Sequence, residues 1–313
     1  MSAHTRLAKA ELEQILDGYG CGTLNGYQPI HQGVTNSNFE IVCNTQVLIL
    51  TLYEQADPTT VLQKVNLQTT LNQHSIPCAQ FLENRKGETV DEFLGKPVTL
   101  QCKLAGTIGY SITSELCQQV GRLLAQFHLA VADYSDIEQN PRGVEWIYST
   151  VDLLEDRLSD KDYEIVMQEL NYLGRFSELS LPAAVVHGDL FPDNVLVEDG
   201  QINAILDFDY ACREILMFDL GIAINAWCSR EDGSLDRLLM RDFLQAYSDI
   251  RPLSEHENLS IPMVMRWTAL RFWLSRLHDQ IMVDQQDDVQ HKNADEFKRI
   301  LLSRRQRLSG MQR

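Results

Sequence analysis

The sequence predicts an α+β protein with two lobes, a small antiparallel-sheet N-terminal lobe and a larger, mostly helical C-terminal lobe. Short runs rich in β-branched and aromatic residues, separated by turn residues, recur between residues 23 and 103. Helical periodicity dominates from residue 113 onward. A chain of 313 residues is long enough to bury two hydrophobic cores. We therefore predict lobes at residues 1–104 and 105–313.

The first lobe is predicted to begin with a helix and to continue as a sheet. An amphipathic helix is expected at residues 8–17, where Leu12, Ile15 and Leu16 share one face. A second helix is expected at residues 58–74. The predicted strands lie at residues 23–31, 38–43, 47–53, 80–82, 88–93 and 97–103.

The loop between the first two strands, QGVTNSN, carries short polar side chains. Gly33 permits a close backbone approach, and the loop amides together with Asn36, Ser37 and Asn38 can donate hydrogen bonds to phosphate oxygens. An ordinary turn has the same composition. The loop becomes a nucleotide-binding candidate only in combination with the motif described below.

The second lobe is predicted to be helical on both sides of one short β segment. A helix capped by Thr113 is expected to reach residue 132, with His128 packed at its edge rather than catalytic. A break is expected at residues 252–259, next to Pro252. Other helices are predicted at residues 144–158, 162–179, 215–228, 234–248, 261–282 and 294–307. Helix-face charges such as Arg271 and Arg276 are usually solvated.

The β segment carries the candidate chemistry, in the sequence AVVHGDLFPDNVLVEDGQINAILDFD at residues 184–209. Asp189 follows a buried strand, and the turn at residues 199–200 folds a hairpin that returns Asp207 beside Asn194. Asp189 can accept the proton of an attacking hydroxyl, while Asn194 and Asp207 can ligate Mg²⁺ on nucleotide phosphates. Any one of these residues alone is an ordinary loop residue. Their order around a hairpin predicts phosphoryl transfer from ATP with Mg²⁺.

The usual lysine that contacts the nucleotide phosphates is missing. Kinases place it on the third strand, where this chain has Thr51, and the helix at residues 58–74 lacks the acidic partner of that lysine. Loss of the lysine alone suggests an inactive protein. Loss of both partners instead suggests a different arrangement around the nucleotide.

The composition narrows the classes of partner. A formal net charge of −17 repels nucleic acid and anionic lipid. Seven cysteines without a Cys-x-x-Cys pair disfavour zinc and a disulfide framework. No stretch is apolar enough for a signal peptide or a membrane span. We expect a cytoplasmic enzyme with a small-molecule acceptor and no nucleic-acid, membrane or protein partner.

The motif around Asp189, Asn194 and Asp207 resembles the aminoglycoside phosphotransferase and choline kinase superfamily, which shares the protein-kinase-like fold. Other segments look like the homoserine kinases of this fold, namely GVTNSNF, VLILTLYE, NPRGVEW, DFDYAC and ALRFWLSRLHD. Thr51 suits that family, whereas Ala226 stands where an Asp is expected.

The resemblance implies that ATP phosphorylates L-homoserine to O-phospho-L-homoserine, a step toward threonine. In that case Asp189 is the base, Asn194 and Asp207 hold Mg²⁺, and the loop from Gly33 through Asn36 and Ser37 to Asn38 covers the phosphates. Homoserine is a zwitterion, so its site needs a cation and an acid. Arg271 and Asp209 are the candidate substrate-binding residues.

Two alternatives remain open from the residues alone. One is a kinase for another hydroxyl acceptor, such as choline, ethanolamine or an aminoglycoside. Tyr210, Trp227, Trp267 and Trp273 could form an aromatic cage for a quaternary ammonium, or could simply belong to the core. The other is a nucleotide-binding regulator that does not catalyse phosphoryl transfer.

Overall fold

The structure is a computed structural model in which the chain divides into two compact units, Met1–Gly106 with Asn203–Leu206, and Thr107–Ile202 with Asp207–Arg313. An antiparallel sheet dominates the first unit and helices dominate the second, which confirms the predicted α+β class. The structure describes residues 5–30, 36–44, 46–174, 180–283 and 293–309.

The first unit is a five-stranded antiparallel sheet with two helices. The helices are α1 (Lys9–Tyr19) and α2 (Pro58–Gln73), and the strands are β1 (Leu24–Ile30), β2 (Asn36–Cys43), β3 (Gln46–Tyr53), β4 (Asp91–Phe93) and β5 (Lys96–Cys102). The strand order is β1-β2-β3-β5-β4. The prediction of a strand at residues 80–82 is wrong, because Phe81 forms only an isolated β-bridge to Gln101.

Alternation along the strands gives the sheet one apolar face and one polar face. On β2 the odd-numbered residues from Ser37 to Cys43 are buried, and their face packs against Leu12 and Leu16 of α1 in one core. Thr51, at the position of the missing lysine, belongs to the other face. Its hydroxyl donates to Asn38 Oδ1 at 2.8 Å.

A buried carboxylate, Glu54, ties the end of β3 to its neighbours. Its side chain is only 2% exposed and is ion-paired with Lys96 of β5. It also accepts hydrogen bonds from the hydroxyl of Ser37 and from the backbone N–H of Thr5. Burial by itself would raise the pKa of the Glu54 carboxyl, but these donors outweigh it and lower the pKa to about 2.

We expect the Glu54→Gln variant to lose stability in a pH-dependent way. Because the folded-state pKa of about 2 lies below the ordinary value of 4.5, the stabilisation is complete above about pH 4.5 and is lost as the pH falls toward 2. At neutral pH it should be about 2 kcal/mol, after allowance for screening of the half-exposed Lys96. Apparent melting temperatures of wild type and variant should differ at neutral pH and converge in acid.

The matched control is Glu92→Gln, which alters an exposed glutamate on β4 of the same sheet. This variant should melt like wild type across the same pH range. A Glu54→Gln deficit that is equally large at pH 7 and at pH 2.5 would assign the loss to packing rather than to the charge.

The second unit is built mainly of helices with two small antiparallel sheets. Its helices are α3 (Ser114–Ala130), α4 (Val144–Leu154), α5 (Asp160–Gly174), α6 (Leu216–Trp227), α7 (Arg237–Ser248), α8 (Glu255–Val283) and α9 (Ala294–Ser309). The short strands are β6 (Ala183–Val186), β7 (Val195–Glu198) and β9 (Cys212–Ile215), together with β8 (Gln201–Ile205), which pairs with β7 and whose residues from Asn203 onward are counted with the first unit. Strand β9, which pairs with β6, was not predicted. The end of the predicted helix at residues 162–179 lies outside the described residues.

Helix α8 differs most from its prediction. It begins at Glu255 rather than near residue 261, because Ser254 and Glu257 form a capping box in which each side chain bonds the other's backbone N–H. It also packs against α4, α5, α6 and α9. That enclosure buries Arg271 and Arg276, so the expectation of solvated charges is wrong.

No helix among the described residues is both long enough and apolar enough to cross a membrane.

Candidate active site

The loop after β6, which begins at His187, is anchored by the buried carboxylate of Asp219. Asp219 of α6 accepts hydrogen bonds from the backbone N–H groups of His187 at 2.6 Å and Gly188 at 2.8 Å. Behind Asp219 lies His128, with Nε2 3.3 Å from Asp219 Oδ2 and Nδ1 2.8 Å from the hydroxyl of Tyr247. Burial lowers the pKa of His128, so its neutral form can donate to Asp219 and accept from Tyr247. Asp219 therefore fixes the backbone that leads to Asp189.

Two aromatic side chains fix the rest of this loop by hydrogen bonds to its carbonyl groups. The indole N–H of Trp227 donates to Leu190 O at 3.0 Å. The hydroxyl of Tyr110 lies 2.9 Å from Pro192 O and 3.0 Å from Val195 O. Neither role could be predicted from the sequence, since only the fold brings the two rings to the loop.

Asn194 is bonded directly to Asp189. Its Nδ2 donates to Asp189 Oδ2 at 2.9 Å and to the Asp189 carbonyl oxygen at 2.8 Å. Because the amide nitrogen is committed in this way, the side-chain oxygen of Asn194 is the atom that can ligate a cation.

The hairpin of β7 and β8 joins the loop around Asn194 to Asp207. Asp199 and Gly200 have φ of 49° and 75°, as a tight two-residue turn requires. Asp207 after β8 also adopts a left-handed φ of 58°, and its Oδ1 accepts from the Asp209 N–H at 3.2 Å. A left-handed non-glycine residue is often found at a functional site.

Gly188 allows the segment that leads to Asp189 to approach the backbone of Tyr210 closely. Its φ is 77°, and a β-carbon at this position would lie 2.5 Å from the carbonyl oxygen of Tyr210. Any side chain here would therefore push Asp189 away from the segment that contains Asp207.

The electrostatics of Asp207 indicate an acidic site that favours a cation. The side chain of Asp207 is accessible to solvent, but the protein atoms around it partly desolvate its carboxylate. This desolvation, followed by the negative charges of Asp209 and Asp189, raises the pKa of Asp207 to about 6. A divalent ion would relieve this repulsion. In the described part of the chain no three His, Cys, Asp or Glu side chains form a metal cluster. Such an ion would therefore need further ligands besides Asp207 and Asn194.

The two candidate acceptor-binding residues lie in the same unit as Asp189. Asp209 is exposed, whereas Arg271 is only 3% exposed, with its guanidinium carbon 5.3 Å from the centroid of the Tyr210 ring. Burial lowers the pKa of Arg271 to about 10 against the influence of Asp189. Arg271 is thus still charged at neutral pH.

The candidate nucleotide-binding residues belong to the first unit. Gly33 lies outside the described residues. Asn36, Ser37 and Asn38 begin β2. Ser37 points into the buried face and donates to Glu54, whereas Asn38 is on the polar face.

One residue near the site was overlooked as a functional candidate in the sequence. Arg142 lies in the segment NPRGVEW, to which the sequence analysis assigns no functional residue, yet its guanidinium carbon lies 5.0 Å from the centroid of the Tyr210 ring. The sequence around Arg142 does not indicate a functional role, because a residue that it contacts, Ser275, is 133 positions away in the chain.

Comparisons with known proteins identify a family and several similar proteins. The family model for the phosphotransferase enzyme family matches residues 26–253. A homoserine kinase of Methylobacillus flagellatus is 35% identical over 96% of this chain and 94% of that protein. A homoserine kinase of Xanthobacter autotrophicus is 36% identical over 95% of this chain and 94% of that protein. The solved structure of an amicoumacin kinase, 18% identical, has a TM-score of 0.71 and covers 95% of this chain and 94% of its own.

Proposed function

Because the chain belongs to the phosphotransferase enzyme family, we propose that it transfers the terminal phosphoryl group of ATP to the side-chain hydroxyl of L-homoserine. The product is O-phospho-L-homoserine, a precursor of threonine. The observation that carries the proposal is the bonded pair of Asp189 and Asn194 with Asp207 beside it. Homoserine is chosen as the acceptor because full-length relatives at 35% and 36% identity are homoserine kinases.

The roles that we propose for the two lobes are those predicted from the sequence. Residues 1–104 bind the nucleotide, with Gly33, Asn36 and Asn38 at its phosphates. Ser37 was also predicted to contact the phosphates, but its hydroxyl is buried and donates to Glu54, so it is left out of the proposed site. Residues 105–313 hold the catalytic loop and the acceptor. Thr51 and Asn38 supply a hydroxyl and an amide on the polar face of the sheet, where other kinases use a lysine.

Asp189 orients the acceptor and takes its proton. The homoserine oxygen forms a bond to the γ-phosphorus, the bond from that phosphorus to the β–γ bridging oxygen breaks, and the proton leaves to Asp189 Oδ. The hydrogen bond from Asn194 Nδ2 to Asp189 Oδ2 orients the carboxylate, so that its other oxygen faces the acceptor hydroxyl. ADP is the leaving group.

Asn194 and Asp207 fit an Mg²⁺ ion that accompanies the nucleotide. The side-chain oxygen of Asn194 is turned away from its bonded partner, and Asp207 is destabilised as an anion by Asp209 and Asp189. When bound, Mg²⁺ neutralises the phosphate oxygens, which complete its coordination. The two side chains supply the protein's share of the ligands.

The acceptor's charged groups match two residues. Arg271 binds the carboxylate, because a guanidinium can donate two parallel hydrogen bonds to it. Asp209, exposed beside Asp207, binds the amine. This pair makes the acceptor site complementary to a zwitterion.

The test is ADP release from Mg²⁺-ATP with L-homoserine, L-serine, L-threonine, choline, ethanolamine and an aminoglycoside as separate acceptors. Turnover with homoserine and none with the others supports the proposal. Turnover with a different acceptor would support the phosphotransferase activity but would change the assigned substrate. Absence of turnover with every acceptor, despite ATP binding, would indicate a non-catalytic regulator.

Substitution of the carboxylate that faces the metal is expected to weaken metal dependence specifically. Asp207→Asn should raise the Mg²⁺ concentration for half-maximal activity roughly ten- to a hundredfold, because the charged ligand is lost while its shape is kept. Titration of activity with Mg²⁺ at fixed ATP measures the change. Asp199→Asn alters an aspartate with a similar positive φ in the exposed turn and should leave the titration unchanged. An unaltered Asp207→Asn titration would remove Asp207 from the metal site.

A further inference from the structure

We infer that Arg142 binds the carboxylate of the acceptor together with Arg271 and is the main determinant of selectivity for an amino acid over a simple amino alcohol. This inference rests on the proposed function. It assigns a role to a residue that lies far from the catalytic motif in the sequence.

The two arginines converge on one aromatic ring. The guanidinium carbon of Arg142 lies 5.0 Å from the centroid of the Tyr210 ring, and that of Arg271 lies 5.3 Å from it. Tyr210 follows Asp209, and its carbonyl oxygen packs against Gly188, next to Asp189. Two positive charges therefore lie close to the catalytic carboxylate.

Among the described residues no ion pair neutralises Arg271, whose guanidinium carbon lies 4.0 Å from the centroid of the Phe272 ring and 5.3 Å from that of the Tyr210 ring. Its Nε is buried without a hydrogen-bond partner, and no carboxylate oxygen of the described chain comes within 4 Å of its guanidinium. A buried charge without a counter-ion is costly. An anionic ligand would supply the missing partner.

The neighbouring arginines of α8 show the contrast. Arg266 donates two hydrogen bonds of 2.7 Å to the carboxylate of Glu169. Arg276 is paired with Glu296 at 2.6 Å. The neighbouring helices α5 and α9 therefore provide a carboxylate for each of these buried arginines, whereas no carboxylate of the described residues pairs with Arg271.

Arg142 is held in place before any ligand binds. One terminal nitrogen donates to the hydroxyl of buried Ser275, the other lies 3.9 Å from Asp279, and the guanidinium lies 5.5 Å from the ring centroid of Trp146. Its side chain is 23% exposed, whereas Arg271 is almost fully buried. A carboxylate arriving from solvent would reach Arg142 first and then lie between Arg142 and Arg271.

This arrangement favours a carboxylate-bearing acceptor over choline. Two guanidinium groups repel a quaternary ammonium, and Trp227, Trp267 and Trp273 are buried in the core. Planar guanidinium donors instead match the two oxygens of a carboxylate. Selectivity should therefore depend on the carboxylate itself.

The experiment compares two acceptors that differ only in that group, L-homoserine and 3-aminopropan-1-ol. In Arg142→Gln, kcat/KM for homoserine should fall about 30- to 100-fold, mainly through KM. The value for 3-aminopropan-1-ol and the KM for ATP should stay near wild type. Arg142→Lys should recover part of the homoserine activity, because the charge is kept. Arg230→Gln, at an exposed arginine paired with Asp236, is the control.

The outcomes separate this inference from the proposed function. An equal loss for both acceptors, or no loss for either, overturns the role of Arg142 while homoserine turnover by wild type still supports the function. If wild type does not phosphorylate homoserine, the proposed function fails. Thermal shift with L-homoserine then decides the role of Arg142, because equal stabilisation of wild type and Arg142→Gln overturns it as well.

Discussion

The Asp189→Asn variant is expected to lose at least a thousandfold in kcat while it remains folded and still binds ATP. The amide of an Asn at position 189 can still accept the hydrogen bond from Asn194, so the loop geometry should survive. It cannot accept the proton of the acceptor hydroxyl. The loss therefore isolates the proton transfer and the orientation of the hydroxyl.

Single-turnover ADP formation and ATP binding by calorimetry measure these two effects separately. Asp193→Asn changes an exposed aspartate on the same loop and should keep near-wild-type kcat. A kcat for Asp189→Asn within tenfold of wild type would contradict the assignment of Asp189 as the base.

The Asp219→Ala variant should show the second large effect, a loss of about 3–5 kcal/mol in the free energy of unfolding together with a strong decrease in kcat. Asp219 accepts from the backbone N–H groups of His187 and Gly188 and contacts His128. All of these groups are buried, so its removal leaves several polar atoms without partners.

Denaturant unfolding gives the loss of stability, and amide hydrogen exchange at Gly188 reports the loop directly. Tyr247→Phe removes a distal hydroxyl that contacts His128 and Arg251 and should cost about 1 kcal/mol with little change in kcat. Unchanged protection of Gly188 in Asp219→Ala would show that other contacts hold the loop.

The candidate catalytic motif could be recognised in the sequence because its geometry is local. Asp189 and Asn194 are five residues apart, and the Asp199-Gly200 turn determines where the hairpin returns Asp207. The alternation that forms the sheet and the Thr113 cap of α3 are likewise local signals. The prediction of a strand at residues 80–82 failed because a run of three residues carries too little pattern to distinguish a strand from a loop.

Burial of charge was where local patterns misled. Arg271 and Arg276 of α8 were expected to be solvated as helix-face charges. Helix α8 instead packs against four other helices, and both arginines are buried. The start of α8 was also placed too late, although the Ser254 to Glu257 capping box was present in the sequence. Periodicity describes one helix face at a time and does not count how many neighbours a helix will have.

The sequence by itself determined the order of chemical groups, from Asp189 through Asn194 to Asp207, since short-range turn chemistry fixes their spacing. The tertiary structure alone decided what supports them. Asp219 reaches His187 across 32 positions, and Arg142 reaches Ser275 across 133. Such contacts depend on how whole helices pack. Packing brings together side chains that are distant in the sequence, and the local sequence around each of them does not indicate the contact.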